Sequence, residues 1–115
     1  MFAGKTVDAP SVSEILHSKH DRYYLKDLLV KAESGLLSVH RGRIEPDGEI
    51  YVHTHEVESE TFYIIAGQVE CTMGEEKVPF SAGSCGFAPP GVPHGLKNTG
   101  KVPVELLAIF TPPLK

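Results

Sequence analysis

Four residues in this chain have the types and spacing of a metal site. His53 and His55 stand two residues apart, Glu60 follows, and His94 comes later in the chain. Side chains at i and i+2 of a β-strand project from the same face, because the strand alternates with a period of two. Three imidazoles and one carboxylate suit a first-row divalent transition metal. The sequence therefore predicts one such ion per chain.

These four predicted ligands leave room for chemistry at the ion. An octahedral ion would keep two adjacent positions for water, substrate or dioxygen, and it would act as a Lewis acid on a bidentate oxygen ligand such as an enediol. Iron or manganese is the favoured ion, with nickel, zinc and copper as alternatives. Zinc fits less well, because four protein ligands leave little room for an open tetrahedral position.

The residues around the predicted ligands resemble the two sequence motifs of the cupin superfamily. In the first motif, His-x-His is followed by Glu after three or four residues and by Gly after six more, as Glu60 and Gly67 are here. The second motif, Gly-x5-Pro-x-Gly-x2-His-x3-Asn, is matched at every fixed position by Gly83, Pro89, Gly91, His94 and Asn98. One departure is that only four residues separate Gly48 from His53, where the family has five. The chain resembles a small single-domain cupin over roughly residues 36–111.

This resemblance implies a fold and a set of activities. The fold is an all-β jelly-roll barrel, also called a double-stranded β-helix, with a short N-terminal arm or helix. The favoured activity is a metal-dependent, dioxygenase-like oxygenase that acts on a small oxygen-chelating substrate, with Glu60 as both metal ligand and proton acceptor. Two alternatives stay open: a sugar isomerase, epimerase, cyclase or decarboxylase, and a non-catalytic module that binds a metal or a small molecule.

Short alternating runs separated by glycine and proline predict the strands that position the site. Predicted strands cover residues 36–44, 50–55, 60–65, 68–73, 85–88, 95–99 and 104–110, with turns at 45–48 and 73–76. Ser11 and Glu14 have the spacing of a helix capping box, which predicts a short helix over residues 12–19. Residues 22–30 fit either a helix or a strand. We divide the chain into an arm (1–35) and a barrel (36–115).

Alternation along the predicted strands indicates which side chains share the cavity with the metal. The last strand presents an apolar stripe inward, and the first barrel strand turns Leu36, Ser38, His40 and Ile44 inward. The predicted pocket residues are His40, Tyr51, Phe62, Leu96 and Phe110. Such a cavity is mainly apolar and holds one small ligand. His17 and His20 are interpreted as structural or exposed.

Composition argues against a nucleic-acid-binding or membrane-spanning protein. The 115 residues carry a formal charge of −4 without a basic cluster, which argues against nucleic acid as a partner. No apolar run approaches the roughly 18 residues that a membrane span needs, and no secretory signal is visible. We therefore expect a cytoplasmic protein. In that compartment Cys71 and Cys85 are expected to be reduced and buried. The arm has apolar groups to bury, so we expect it to pack on the barrel or on the partner in a two-fold homodimer.

Overall fold

The computed structural model describes residues 2–115, which contain nine β-strands, one short α-helix and one 3-10 turn. After a 3-10 turn at Ala9–Ser11, the elements are β1 (Ile15–Leu16), β2 (Asp21–Leu29), α1 (Lys31–Ser34), β3 (Ser38–His53), β4 (Ser59–Ala66), β5 (Gln68–Met73), β6 (Glu76–Ser81), β7 (Cys85–Ala88), β8 (His94–Asn98) and β9 (Val104–Thr111). No helix within residues 2–115 is long and apolar enough to cross a membrane.

The long strand β3 organises the sheet. The strand order is β6-β5-β8-β3-β9-β4-β7, and every pairing is antiparallel. The first half of β3 pairs with β9 on one side and β2 on the other, and its second half pairs with β8. β3 therefore joins the β5–β6–β8 group of strands to the β4–β7–β9 group, and the sheet curls around one core.

The core follows the predicted alternation. Along β9, the apolar stripe of Val104, Leu106, Ala108 and Phe110 is buried, as predicted. Ser38, His40 and Ile44 of β3 are buried as well, whereas Leu36 is 76% exposed because it precedes β3 and lies in the turn after α1. Burial of apolar side chains at every second position fixes the register of each strand, since a slip by one residue would expose the whole stripe.

The predicted helix over residues 12–19 is wrong. Ser11 turns its hydroxyl to the carbonyl oxygen of Asp8 at 2.8 Å, and Glu14 forms an ion pair with Arg43 of β3 at 2.7 Å. Within this stretch, β1 pairs with β2, so no helix forms. Long-range strand pairing and ion pairing therefore outweigh the local capping signal. The ambiguous stretch 22–30 is resolved in the same way, as the strand β2.

The predicted turn at residues 45–48 is a bulge inside one continuous strand. Asp47 has a φ of 66°, and the register with β2 shifts between the Tyr23–Ile44 and Asp21–Glu49 pairs. A side chain at Gly48 would lie 2.8 Å from the carbonyl oxygen of Glu45, so the close backbone approach requires glycine there. The turn residues bend β3 without ending it, because β3 is paired up to Ile44 and again from Glu49.

Two further differences are local. Strand β6 was not predicted, because it lies at the end of the sheet path, is mostly exposed and contains Pro79, which cannot donate to a ladder. Cys71 is buried as predicted, whereas Cys85 is exposed, and both are free thiols. The predicted boundary at residue 35 falls between α1 and β3, at a glycine with a φ of 69°.

Candidate metal centre

The four predicted ligands come from three strands and one loop. His53 is the last residue of β3, His55 lies in the loop after it, Glu60 is in β4, and His94 is the first residue of β8. One donor atom from each residue lies within 4.8 Å of the others. His53 pairs directly with His94 across β3 and β8, which fixes two of the donors in register. The structure therefore brings together all four residues, although His55 lies beyond the strand on which we had placed it.

Backbone carbonyl groups set the tautomers of two imidazoles. His53 Nδ1 lies 2.6 Å from the carbonyl oxygen of Tyr51, and His94 Nδ1 lies 3.0 Å from that of Val92. A carbonyl oxygen only accepts, so each Nδ1 carries a hydrogen and each Nε2 is directed to the cluster. His55 Nε2 lies 3.2 Å from His53 Nε2. Fixing the far nitrogen in this way orients an imidazole for metal binding.

A buried carboxylate holds the cluster together. Glu60 is 8% exposed, and its Oε1 lies 2.8 Å from His94 Nε2 and 3.5 Å from His55 Nε2. Burial alone would raise the pKa of Glu60, but hydrogen bonds from His55 and His94 outweigh it and lower the pKa to about 2. Burial likewise opposes the charged form of His94, yet the hydrogen bond to Glu60 raises its pKa above the usual value.

The donor set fits a divalent transition metal. Three imidazole nitrogens and one ionised carboxylate converge, and each is of a type that such ions accept. The burial of His94 and Glu60 also protects the donors from competing water. An ion at the cluster would therefore be held by His53, His55, Glu60 and His94.

A cavity of about 590 Å³ opens onto this cluster. His53, His55 and Glu60 are among its lining residues, and apolar walls are supplied by Leu25, Ile50, Val52 and Phe110. Of the residues in 2–115 that line it, Glu60 is the one acid, whereas Lys19 and Lys115 bring ammonium groups. The cavity combines apolar walls with a basic rim.

The predicted pocket residues divide into two groups. His40, Tyr51 and Phe110 line the cavity. Phe62 and Leu96 lie instead in the hydrophobic core, with 1% and 4% of their surface exposed, and neither lines the cavity. The alternation of side chains along the strands identified the inward face correctly. Part of that face packs into the core and is closed to a ligand.

His40 is held by hydrogen bonds at both ring nitrogens. Its Nδ1 lies 2.8 Å from Asp27 Oδ1 in β2, and its Nε2 lies 2.9 Å from Ser38 Oγ. The ring packs edge-on against Phe110, which in turn packs edge-on against His55. His40 therefore supports the wall beside a metal ligand and presents ring carbons to the cavity.

Two histidines of the arm that were interpreted as structural or exposed lie at the cavity. His17 and His20 line the cavity, and the ring centroid of His20 lies 5.0 Å from that of His53. Burial, followed by the neighbouring His17, lowers the pKa of His20 to about 4. No periodicity in the sequence connects them with His53, because the pairing of β1 and β2 that places them is itself unpredicted.

Comparison with known proteins supports the sequence resemblance. The family model described as the cupin domain matches residues 40–110. Xanthan biosynthesis protein XanB of Xanthomonas campestris is 32% identical over 71 residues, which is 62% of this chain and 15% of that protein. An oxalate-binding protein of Thermotoga maritima is 33% identical over 70 residues, which is 61% of this chain and 58% of that protein. The chain thus spans less than two thirds of either relative.

A solved structure extends the likeness to nearly the whole fold. The crystal structure of a predicted oxalate decarboxylase from Thermotoga maritima superimposes with a TM-score of 0.86 and 25% identity, covering 93% of this chain and 98% of that one. The all-β jelly-roll barrel predicted from the sequence is confirmed.

Proposed function

Because this chain belongs to the cupin domain family, we propose that it binds one divalent transition-metal ion and acts on a small oxygen-chelating anion. The observation that carries the proposal is the convergence of three imidazoles and Glu60 within 4.8 Å beside a cavity of about 590 Å³. His53, His55, Glu60 and His94 are the proposed ligands. Iron or manganese is the favoured ion, with nickel, zinc or copper as alternatives. When bound, the ion supplies a Lewis acid that polarises a chelating oxygen pair.

The charge of the cavity favours an anionic substrate. A divalent ion and the Glu60 carboxylate together leave one positive charge, and Lys19 adds to it, whereas the ammonium group of Lys115 is paired with Asp27 at 3.4 Å. The chain as a whole has a formal charge of −4, so the cavity is opposite in sign to the protein. A concave site of one sign concentrates ligands of the opposite sign. The names of the two Thermotoga maritima proteins, which refer to oxalate, agree with a carboxylate ligand.

The proposed reaction is a metal-dependent, dioxygenase-like oxygenation. Leu25, Ile50 and Phe110 form apolar walls beside the cluster and would keep water from the substrate carbons. Glu60 is buried, ionised at neutral pH and the one acid among the described lining residues. We assign it to accept the proton of an acidic substrate hydroxyl.

A second candidate is non-oxidative: binding or decarboxylation of a small dicarboxylate. The likeness to an oxalate-binding protein and to a predicted oxalate decarboxylase favours it. The sugar isomerase and epimerase alternatives would need a phosphorylated sugar, because a neutral sugar makes no use of the Lys19 ammonium group at the cavity.

Three measurements on one protein sample test the proposal. Metal analysis of the purified protein and titration of Mn²⁺ or Fe²⁺ into chelator-treated protein should give one ion per chain. An oxygen electrode should then record uptake with a panel of enols, hydroxy acids and flavonols. Release of carbon dioxide from oxalate without oxygen uptake would support the second candidate, and tight binding without turnover would support a binding module.

Glu60→Gln provides the decisive variant. It keeps the shape of the side chain but removes the charge and the proton acceptor, so turnover should fall at least about a hundredfold. Glu75→Gln, in the exposed turn between β5 and β6, is the matched control and should leave turnover unchanged. Failure of the wild-type protein to bind any of these ions near one per chain would refute the proposed function as a whole.

A further inference from the structure

The turn between β1 and β2 brings three basic side chains to the cavity. His17, Lys19 and His20 all line it, beside the proposed metal ligands. The imidazoles form a row that leads away from the cluster: the ring centroid of His20 lies 5.0 Å from that of His53, and that of His17 lies 4.5 Å from His20. A ligand that only chelates the ion would leave this row uncontacted, whereas a longer ligand could contact it.

The backbone of Tyr51 gives His20 and His53 opposite tautomers. The Tyr51 carbonyl accepts from His53 Nδ1 at 2.6 Å, whereas the Tyr51 N–H donates to His20 Nδ1 at 3.1 Å. An Nδ1 that accepts an N–H carries no hydrogen itself, so the hydrogen of His20 is on Nε2. His53 therefore offers a lone pair to the cluster, and His20 offers an N–H donor.

His17 has the same donor form as His20. Its Nδ1 accepts the backbone N–H of Lys19 at 3.2 Å, which leaves its hydrogen on Nε2. The turn is also anchored, because the backbone N–H of His17 donates to the carbonyl oxygen of Tyr23 at 2.8 Å and the two rings stack 5.7 Å apart. Tyr23 is buried in the core. The donors are thus positioned by the fold before any ligand arrives.

From this geometry we infer that His17, Lys19 and His20 form a subsite for a second carboxylate of the substrate. The inference rests on the proposed function, in which one end of the ligand chelates the ion. Two imidazole N–H donors and an ammonium group match the acceptor oxygens and the charge of a carboxylate. The preferred ligand is therefore a dicarboxylate with a chelating hydroxy-acid or keto-acid end and a distal carboxylate, and the cavity of about 590 Å³ has room for it.

A pair of acids of equal chain length isolates the distal carboxylate. Malate carries a 2-hydroxy acid and a second carboxylate, whereas 2-hydroxybutanoate carries the same chelating end and a terminal methyl group. Calorimetric titration into the Mn²⁺-loaded protein should show malate binding about tenfold more tightly or better, as expected for hydrogen bonds to a charged group. Equal affinities for the two acids would overturn the subsite.

Two variants assign the preference to the turn. In His20→Asn, the amide oxygen still accepts the Tyr51 N–H but the Nε2–H donor is gone, and Lys19→Met removes the charge and keeps the stem. Each should lose most of the preference for malate, with 2-hydroxybutanoate affinity and metal content unchanged. Lys97→Met in β8, outside this cavity, is the control and should keep the preference. If both turn variants keep it, the subsite is overturned. If neither acid binds the metal-loaded wild type, the proposed function itself fails.

Discussion

His94 Nε2 lies 2.8 Å from Glu60 Oε1, although β8 and β4 are separated in the sheet by β3 and β9. The Nδ1 of His94 donates to the carbonyl oxygen of Val92, so a hydrogen bond to the carboxylate needs a second hydrogen on Nε2. When both ring nitrogens of His94 are protonated, the imidazolium is paired with the Glu60 carboxylate. A metal ion would take the position of that proton.

Metal affinity should therefore decrease as the pH falls. The pKa of His94 is raised by its hydrogen bond to Glu60, so the competing proton stays bound to a higher pH than on an ordinary imidazole. Below that pKa each pH unit should weaken metal binding about tenfold for the one proton displaced. Calorimetry in two buffers of different ionisation enthalpy measures the protons released. An affinity that stays constant between about pH 5 and 8 would contradict this exchange.

Replacing His55 with alanine should remove most of the metal affinity and leave the fold intact. The loss should exceed the roughly 10–100-fold that follows removal of a group supporting a ligand, because a ligand itself is lost. The core is built from side chains such as Phe62, Ile64 and Leu106, so folding does not depend on the ion. Metal content and a thermal melt measure the two effects. Unfolding of His55→Ala would show that the metal is structural.

Leu106→Ala should show the reverse behaviour. The side chain is completely buried in the middle of β9, so its removal leaves a cavity and should lower the free energy of unfolding by about 2–5 kcal/mol. Metal stoichiometry of the folded protein should stay at one. Denaturant titration and metal analysis on the same sample provide the comparison. A change below about 0.5 kcal/mol would mean that this part of the core is not packed as described.

Gly95→Ala should weaken metal binding by moving the backbone of β8 next to His94. An added methyl group would lie 2.8 Å from the Ile50 carbonyl oxygen and 2.9 Å from the Val52 nitrogen, so β8 and β3 must separate next to His94. We expect a loss of about 1–3 kcal/mol of stability together with weaker metal binding. In Gly100→Ala the nearest atom lies 3.7 Å away, so this variant should match the wild type in both measurements.

The outer face of β4 and β7 should form a homodimer interface. Tyr63, Ile65 and Phe87 are exposed on these adjacent strands, and a contiguous apolar patch marks an interaction site. A two-fold dimer is the commonest closed oligomer. Sedimentation at micromolar concentration should give a dimer, and Phe87→Lys should give a monomer. Val102→Lys, an equally exposed apolar position in the loop before β9, should stay dimeric. A monomeric wild type would contradict the prediction.

The sequence by itself determined the family and the inward stripes, and it named the four residues that converge in the structure. These features depend on short spacings: His53 and His55 are two residues apart, and the stripe that contains Leu106 repeats every second residue. Alternation along a strand is a local property of the backbone, so it can be recognised without knowing which strands pair. The motif around His94 added the one long-range relationship, through the family resemblance.

The tertiary structure decided what the arm does. Pairing of β1 with β2, and of β2 with β3, replaces the predicted helix and places the ring of His20 5.0 Å from that of His53, with His17 next to His20. The same closure packs Phe62 into the core and leaves Phe110 on the cavity wall, although both lie on inward stripes. Contacts between residues distant in sequence depend on which edges pair as the sheet curls, and no local spacing encodes that choice.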